Sequence, residues 1–207
     1  MIKGVSLCGN SFFIGFMMGK KFVSDKNFKS INWTVDAIEP GIYENCNFAA
    51  CHFTGVNLSE FAFVECIFDN CDFSMATICG TAFRTVRFKN CKLLGLRFDE
   101  CNTFGLAMSF DNCLLNLSSF FKLTLRKTQF RSCRLHEVDF MQSNLAGSSF
   151  DGCDLAGSLF GQTNLEQTDF RTAHNYSIDP NNNKLNKAKF SLPGVLGLLH
   201  CYPIVIE

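Results

Sequence analysis

Cysteines are the residues most able to do chemistry in this 207-residue chain, which carries twelve of them. Cys46, Cys51, Cys66 and Cys71 superficially form two metal-ligand pairs. Zinc pairs usually set roughly two to four residues between ligands in a tight knuckle. Here four residues intervene in each pair, and the pairs fall on adjacent inward positions of the repeat described below. Small buried packing residues are the plainer reading, and no metal, cofactor or disulfide is expected. Cys79 differs: it follows Ile78, should face outward, and is a candidate reactive thiol. His52, His136, His174 and His200 are scattered. No carboxylate pair, nucleophile–base pair or glycine-rich phosphate loop stands out. No catalytic residue is assigned, and the chain is read as a non-enzyme.

The elements that position these residues follow a period of five. Every fifth residue from Phe48 to Phe98 is Phe, Leu or Ile, and the phase resumes at Phe110, with Phe and Leu alternating to Phe170. A period of five fits neither a helix nor a flat strand. It fits a chain that turns a corner every five residues and sends one large side chain inward each time. The residue two before each centre is usually small, as at Cys46, Cys51, Ala76, Thr81, Ser118 and Thr163; Phe61, Leu96 and Leu123 are larger. No charged residue in 46–100 or 108–172 falls on either inward position. Charges are almost never buried unpaired, so the pattern separates inside from outside.

Cys-Asn-Phe (46–48), Cys-Asp-Phe (71–73), Ser-Asn-Leu (143–145), Cys-Asp-Leu (153–155) and Thr-Asp-Phe (168–170) resemble the pentapeptide repeat family. The resemblance implies an all-β fold, a right-handed quadrilateral parallel β-helix with twenty residues per coil. The twelve residues from Phe98 to Phe110 are two more than two repeats. A two-residue bulge near 102–105 keeps the sides in step, and places Cys51, Cys71, Cys91, Cys113, Cys133 and Cys153 in one inward column. The organisation expected is an N-terminal segment at 1–27, a β-helix at 28–175, and a C-terminal cap at 176–207. Cys8, Phe13, Met18 and Val23 keep the phase, so 1–27 is also a candidate first coil. In the cap, Ser191 and Pro193 open a short helix that Pro203 stops, and Ile204-Val205-Ile206 reads as a strand.

Charge is banded along the chain. Residues 30–83 hold acids and no Lys or Arg, residues 84–134 are mainly basic, and residues 135–170 hold Glu137, Asp139, Asp151, Asp154, Glu166 and Asp169 with no base. Those six are the candidate partner-binding residues. The bland reading is a solvated surface; the functional one is a partner that senses the bands. Residues 4–19 are apolar but too short and mixed to span a membrane, and no small-residue cleavage site follows. A cytoplasmic protein is expected, without membrane or direct nucleic-acid contact.

Tyr176-Ser177-Ile178-Asp179-Pro180, Lys189-Phe190-Ser191-Leu192-Pro193, Gly197-Leu198-Leu199 and Ile204-Val205-Ile206 are similar to the C-terminus of the Qnr and McbG branch. That resemblance implies a rod that mimics DNA, binds DNA gyrase and topoisomerase IV, and relieves quinolone or microcin poisoning. It also implies a homodimer formed through the C-terminal module, with Leu192, Leu196, Leu199, Ile204 and Ile206 as interface candidates. A generic scaffold with an unrelated protein partner is the alternative, favoured by the basic belt. A thiol-redox role rests on Cys79 and the cysteine column.

Overall fold

A chain that buries two residues in five must bend after each set. The computed structural model describes residues 21–205, and the chain bends as the period requires. Cys8, Phe13, Met18 and Ile206 lie outside the described residues. Among the described residues, eleven short strands form two parallel sheets. One contains β1 (Lys21–Ser24), β3 (Gly41–Glu44), β5 (Ala62–Val64) and β7 (Ala82–Arg84). The other runs β2 (Asn27–Lys29), β4 (Asn47–Ala49), β6 (Ile67–Asp69), β8 (Val86–Lys89), β9 (Met108–Asp111), β10 (Gln129–Arg131) and β11 (Ser149–Asp151).

Single bridges make two further ladders, so each coil has four sides. We name them in chain order. Side A is the seven-stranded sheet. Side B carries the bridges Asn32, His52, Asp72, Lys92, Leu114, Arg134, Asp154 and His174. Side C carries Asn57–Thr77 and then Arg97, Ser119, Asp139 and Leu159. Side D is the four-stranded sheet, continued by Thr124, Asn144, Asn164 and Lys184. The architecture is a parallel β-solenoid. Its ladder already runs at Lys21, inside the segment set apart as 1–27.

The register is twenty residues up to Ala82–Asn102, and twenty-two at Val86–Met108. The two extra residues therefore lie between Asn102 and Met108, on side D. The next three sides resume with nothing displaced: Phe88 lies over Phe110 and Lys92 over Leu114.

The core is a set of columns. Phe48, Phe68, Phe88, Phe110, Phe130, Phe150 and Phe170 stack within 15° of parallel, with centroids 4.6–5.4 Å apart. Phe98, Phe120, Phe140 and Phe160 form an opposite column on side C. Neighbouring columns meet edge to face, as at Phe130–Phe140 (83°), an arrangement aromatic rings favour. From Phe110 onward that explains the strict alternation, with Phe on sides A and C and Leu on B and D; in the earlier coils Phe53 and Phe73 fill side B and Phe63 and Phe83 side D. Phe61, Leu96 and Leu123 are also buried. Among the described residues, every buried polar side chain is a Ser or Thr. Inward Thr and Ser hydroxyls donate to carbonyls of the preceding coil, as Thr81 to Leu58 at 2.7 Å and Thr168 to Leu145 at 2.9 Å.

Corners carry the cost of this geometry. The residue two past most centres is left-handed even when it is not glycine: Ala50, Glu65, Asn70, Met75, Thr85 and Asn90 have φ of 52–60°. Such residues persist where surrounding contacts over-determine them. Here most corner amides bond the next coil, Asn70 to Lys89 O at 2.9 Å for example.

The C-terminal end departs from expectation in two ways. The ladder continues past 175, through Asn164–Lys184 and Asp169–Lys189, and Phe190 stacks 5.3 Å from Phe170. The repeat persists there because Leu185 and Phe190 keep the phase. A 3-10 helix spans Pro193–Leu198, with Ser191 Oγ accepting from the Gly194 amide at 3.2 Å. Ile204 and Val205 form no strand, because no ladder reaches them to pair with.

Two outcomes test this account. Phe130→Ala removes a fully buried ring held on both sides, and should cost about 3–5 kcal/mol in thermal unfolding. Arg131→Ala, exposed next door, should cost less than about 0.5 kcal/mol. Thr85 is β-branched at φ 56° and exposed. Thr85→Asn should raise stability by roughly 0.5–1 kcal/mol, since Asn tolerates this region.

Candidate interaction surface

The thiols fall into two groups. Cys46, Cys51, Cys66, Cys71, Cys91, Cys101, Cys113, Cys133 and Cys153 are free and buried. Several donate to carbonyls one coil back, as Cys71 to Phe48 at 3.3 Å and Cys91 to Phe68 at 3.4 Å. Burial pushes the Cys66 thiol up to about 12. Neighbouring sulfurs and burial push Cys91 and Cys133 up as well. All nine are packing residues, and burial favours the neutral thiol at Cys66, Cys91 and Cys133. Among the described residues, no group of three or more His, Cys, Asp or Glu is placed to hold a metal ion. Cys79 is exposed, and so is Cys201 in the cap, which the repeat phase gave no means of finding. A maleimide should label Cys79 and Cys201 quickly in the folded protein. Cys71, Cys91, Cys113 and Cys133 should react only on unfolding, as mass spectrometry of the labelled protein would show.

The six C-terminal acids do not form one patch; they are distributed around the sides. Asp139 belongs to side C, Asp154 to side B, and Asp151 to side A. Three of them also do structural work. Asp139 accepts from the Met141 amide at 2.8 Å, Asp154 from Ala156 at 3.3 Å, and Asp169 from Arg171 at 3.1 Å. Asn57, Asp72, Asn102, Asn144 and Asn164 make the same two-residue bond. A side-chain oxygen closing on an amide two residues ahead fixes a turn. That is the physical reason for Asp or Asn before so many centres.

Three of the acids also face basic side chains. Asp151 lies 3.8 Å from Arg131 and accepts from Thr172 at 2.8 Å. Asp169 lies 2.7 Å from Arg171, whose guanidinium holds it below the ordinary carboxylate value. Asp154 meets His136 Nε2 at 2.8 Å. Burial acts to raise Asp154, but bonds from His136 and Asn175 outweigh it and hold it low. Glu137, exposed at a corner, and half-buried Glu166 are the two whose carboxylates make neither a turn bond nor an ion pair within 4 Å among the described residues.

The cap is seated on one ring. Tyr176 is 3% exposed and packs against Phe170 and Phe190. A Cβ at Gly197 would fall 2.5–2.6 Å from Tyr176, and one at Gly194 would meet its hydroxyl. The Gly194/Gly197 spacing of three puts both on one side of a 3-10 helix, so the helix lies flat on the ring. Ile178 N donates to Gly197 O at 2.9 Å. The outer side of the cap is apolar: Leu192 is 89%, Leu196 47%, Ile204 55% and Val205 87% exposed, while Leu199 is half-buried. A cleft of about 300 Å³ separates cap from coil, lined by His174, Ser191, Leu196 and His200 among others.

Two profiles of one repeat cover the chain continuously from 46 to 160. Pentapeptide repeats in eight copies match residues 46–84, and a pentapeptide repeat region matches residues 81–160. The chain belongs to the pentapeptide repeat family. Among solved pentapeptide repeat proteins, it is similar to a trypsin-treated form of QnrB1, a plasmid-mediated fluoroquinolone resistance protein. Identity is 16% and the TM-score 0.65, with 90% of this chain and 92% of that one covered. HetL, involved in heterocyst differentiation regulation in the cyanobacterium Nostoc, matches at 14% identity and a TM-score of 0.43, over 87% of this chain and 93% of HetL. No curated protein sequence matches the chain. Among the described residues, no helix of this pentapeptide repeat protein is long and apolar enough to cross a membrane.

Proposed function

We propose that this pentapeptide repeat protein is a non-catalytic rod that binds DNA gyrase or topoisomerase IV and protects it against quinolones or similar poisons. The observation that carries the reading is the C-terminal cap. Its residues are those that resemble the Qnr and McbG branch, and they dock through Tyr176, Gly194 and Gly197 onto the last coil. The similarity to QnrB1, which runs along 90% of the chain, supports the same reading at the level of fold. In this proposal two copies pair through Leu192, Leu196, Leu199 and Ile204, with Ile206 as a further candidate. Pairing about a two-fold axis brings the two acidic C-terminal regions side by side, where a topoisomerase that grips DNA meets them. The generic scaffold remains the second reading, favoured by the basic belt of residues 84–134.

The test separates recognition from structure. Glu137 and Glu166 are the acids to change, because Asp139, Asp154 and Asp169 hold their own turns. Glu137→Lys with Glu166→Lys should weaken protection of gyrase supercoiling against ciprofloxacin by at least about tenfold. Glu44→Lys with Glu65→Lys, far from the cap, should leave it within about twofold. Sedimentation of the wild type should give a dimer at micromolar concentration. A monomer, or protection indifferent to both pairs of changes, would leave only the scaffold.

A further inference from the structure

The basic belt contains an apolar patch that neither the fold nor the cap explains. It sits where sides B and C meet. Leu114 lies in the side B ladder between Lys92 and Arg134. Leu94 O accepts from the Met75 amide at 3.3 Å, placing those two residues on adjoining coils. Gly95 follows Leu94, and the Met75 Sδ leans over it, 3.6 Å from where a Cβ would stand. Leu117 occupies the same corner one coil further on. Met75 is 73% and Leu117 62% exposed, while Leu94 and Leu114 are half-buried.

The backbone makes this patch costly. Met75 has φ 60° and Leu117 φ 63°, in the left-handed region where a long side chain is disfavoured. Gly95, between them, sits at φ 68° without that penalty. An exposed, strained, apolar side chain contributes nothing to a core, so its use lies outside the fold. The rim carries exposed Lys92 and Arg134, with Arg97 beyond them paired to Asp99 at 2.7 Å. Asp72, 3.8 Å from Lys92, bounds the patch on one side and Glu137 on the other. An apolar centre inside a charged rim is the ordinary anatomy of a protein interface.

We propose that this patch docks an acidic protein segment, one that presents an aliphatic or aromatic anchor flanked by carboxylates. The cationic rim selects the charge of the partner. The aliphatic centre selects a protein, because single-stranded nucleic acid is held by aromatic stacking platforms. This surface adjoins the acidic C-terminal one at Glu137, but its test changes Met75, Leu117, Lys92 and Arg134 and uses no topoisomerase, so either reading can fail alone.

The probe is a random peptide library displayed on phage, panned on the wild-type protein and on two variants. Met75→Asn with Leu117→Asn removes the centre with a residue that suits the corner, so folding is kept; unchanged or raised thermal stability checks this. Lys92→Glu with Arg134→Glu inverts the rim. The wild type should enrich peptides with Asp or Glu around Leu, Met or Phe. A synthetic consensus peptide should lose at least about tenfold in affinity on either variant, and bind more weakly as salt rises. A basic consensus, no consensus, or equal binding to the variants would overturn the proposal. So would tighter binding of a short single-stranded DNA. Sedimentation showing a wild-type dimer abolished by Leu117→Asn would instead assign the patch to a second copy.

Discussion

Each inward side chain rests on the residue one coil later, and the rest of the molecule is arranged to keep that contact. The strands are three or four residues long, too short to stand alone. What holds them is repetition: Phe110 lies between Phe88 and Phe130 at 5.4 and 5.1 Å, and its strand is paired in register with both of theirs. Stability of this kind passes from coil to coil, so it fails at an end that offers a ring and receives none. The C-terminus meets that need with Phe190 on Phe170, and then with a helix stripped of side chains at Gly194 and Gly197 where it lies on Tyr176.

The same dependence explains how two extra residues are tolerated. An insertion inside a ladder would turn every later side chain to the wrong side, as a register slip does in any sheet. The chain places it on side D between Asn102 and Met108, where no strand continues. There Phe104 N bonds Asn102 Oδ1 at 2.9 Å, and Arg84 Nε bonds the Phe104 carbonyl at 3.3 Å. The Arg84 guanidinium also lies 5.7 Å from the Phe104 ring. Sides A, B and C then continue unbroken, which is why Cys91 and Cys113 share a column although twenty-two residues separate them.

Periodic features were readable in the sequence because each is repeated many times. The inward centres, the cysteine column, the exclusion of charge from the core and the two-residue bulge all follow from one period and its single break. Features made by one contact between unlike segments were not readable. The seat of Gly194 and Gly197 on Tyr176 pairs positions with no periodic relation. The expected strand at Ile204 failed for a related reason: its β-branched residues have the propensity, but no ladder is within reach. The acidic C-terminal residues were readable as charges, yet the bonds of Asp139, Asp154 and Asp169 to amides two residues ahead depend on geometry that composition does not carry. Asp139, Asp154 and Asp169 are therefore part of the scaffold before they are part of any surface.

The ladder also constrains the charge of the whole rod. In an in-register parallel stack, like charges would sit about 4.8 Å apart along a side, an unfavourable arrangement. Side A avoids it by alternating Asp69, Lys89, Asp111, Arg131 and Asp151. Side B does so with Asp72 against Lys92, and with Arg134 against Asp154. That alternation keeps charge near balance along these two sides, so the formal net charge of zero says little about what a partner would meet. Corner positions escape it, because their side chains leave the sheet. Along the corner between sides B and C stand Gly55, Met75, Gly95, Leu117, Glu137 and Gly157, all left-handed. Glycine would suit every one of them best, so Met75, Leu117 and Glu137 are the positions where this chain accepts strain to present a particular side chain. In a structure whose sides are dictated by their neighbours one coil away, such corners are where recognition has room to differ from one rod to another.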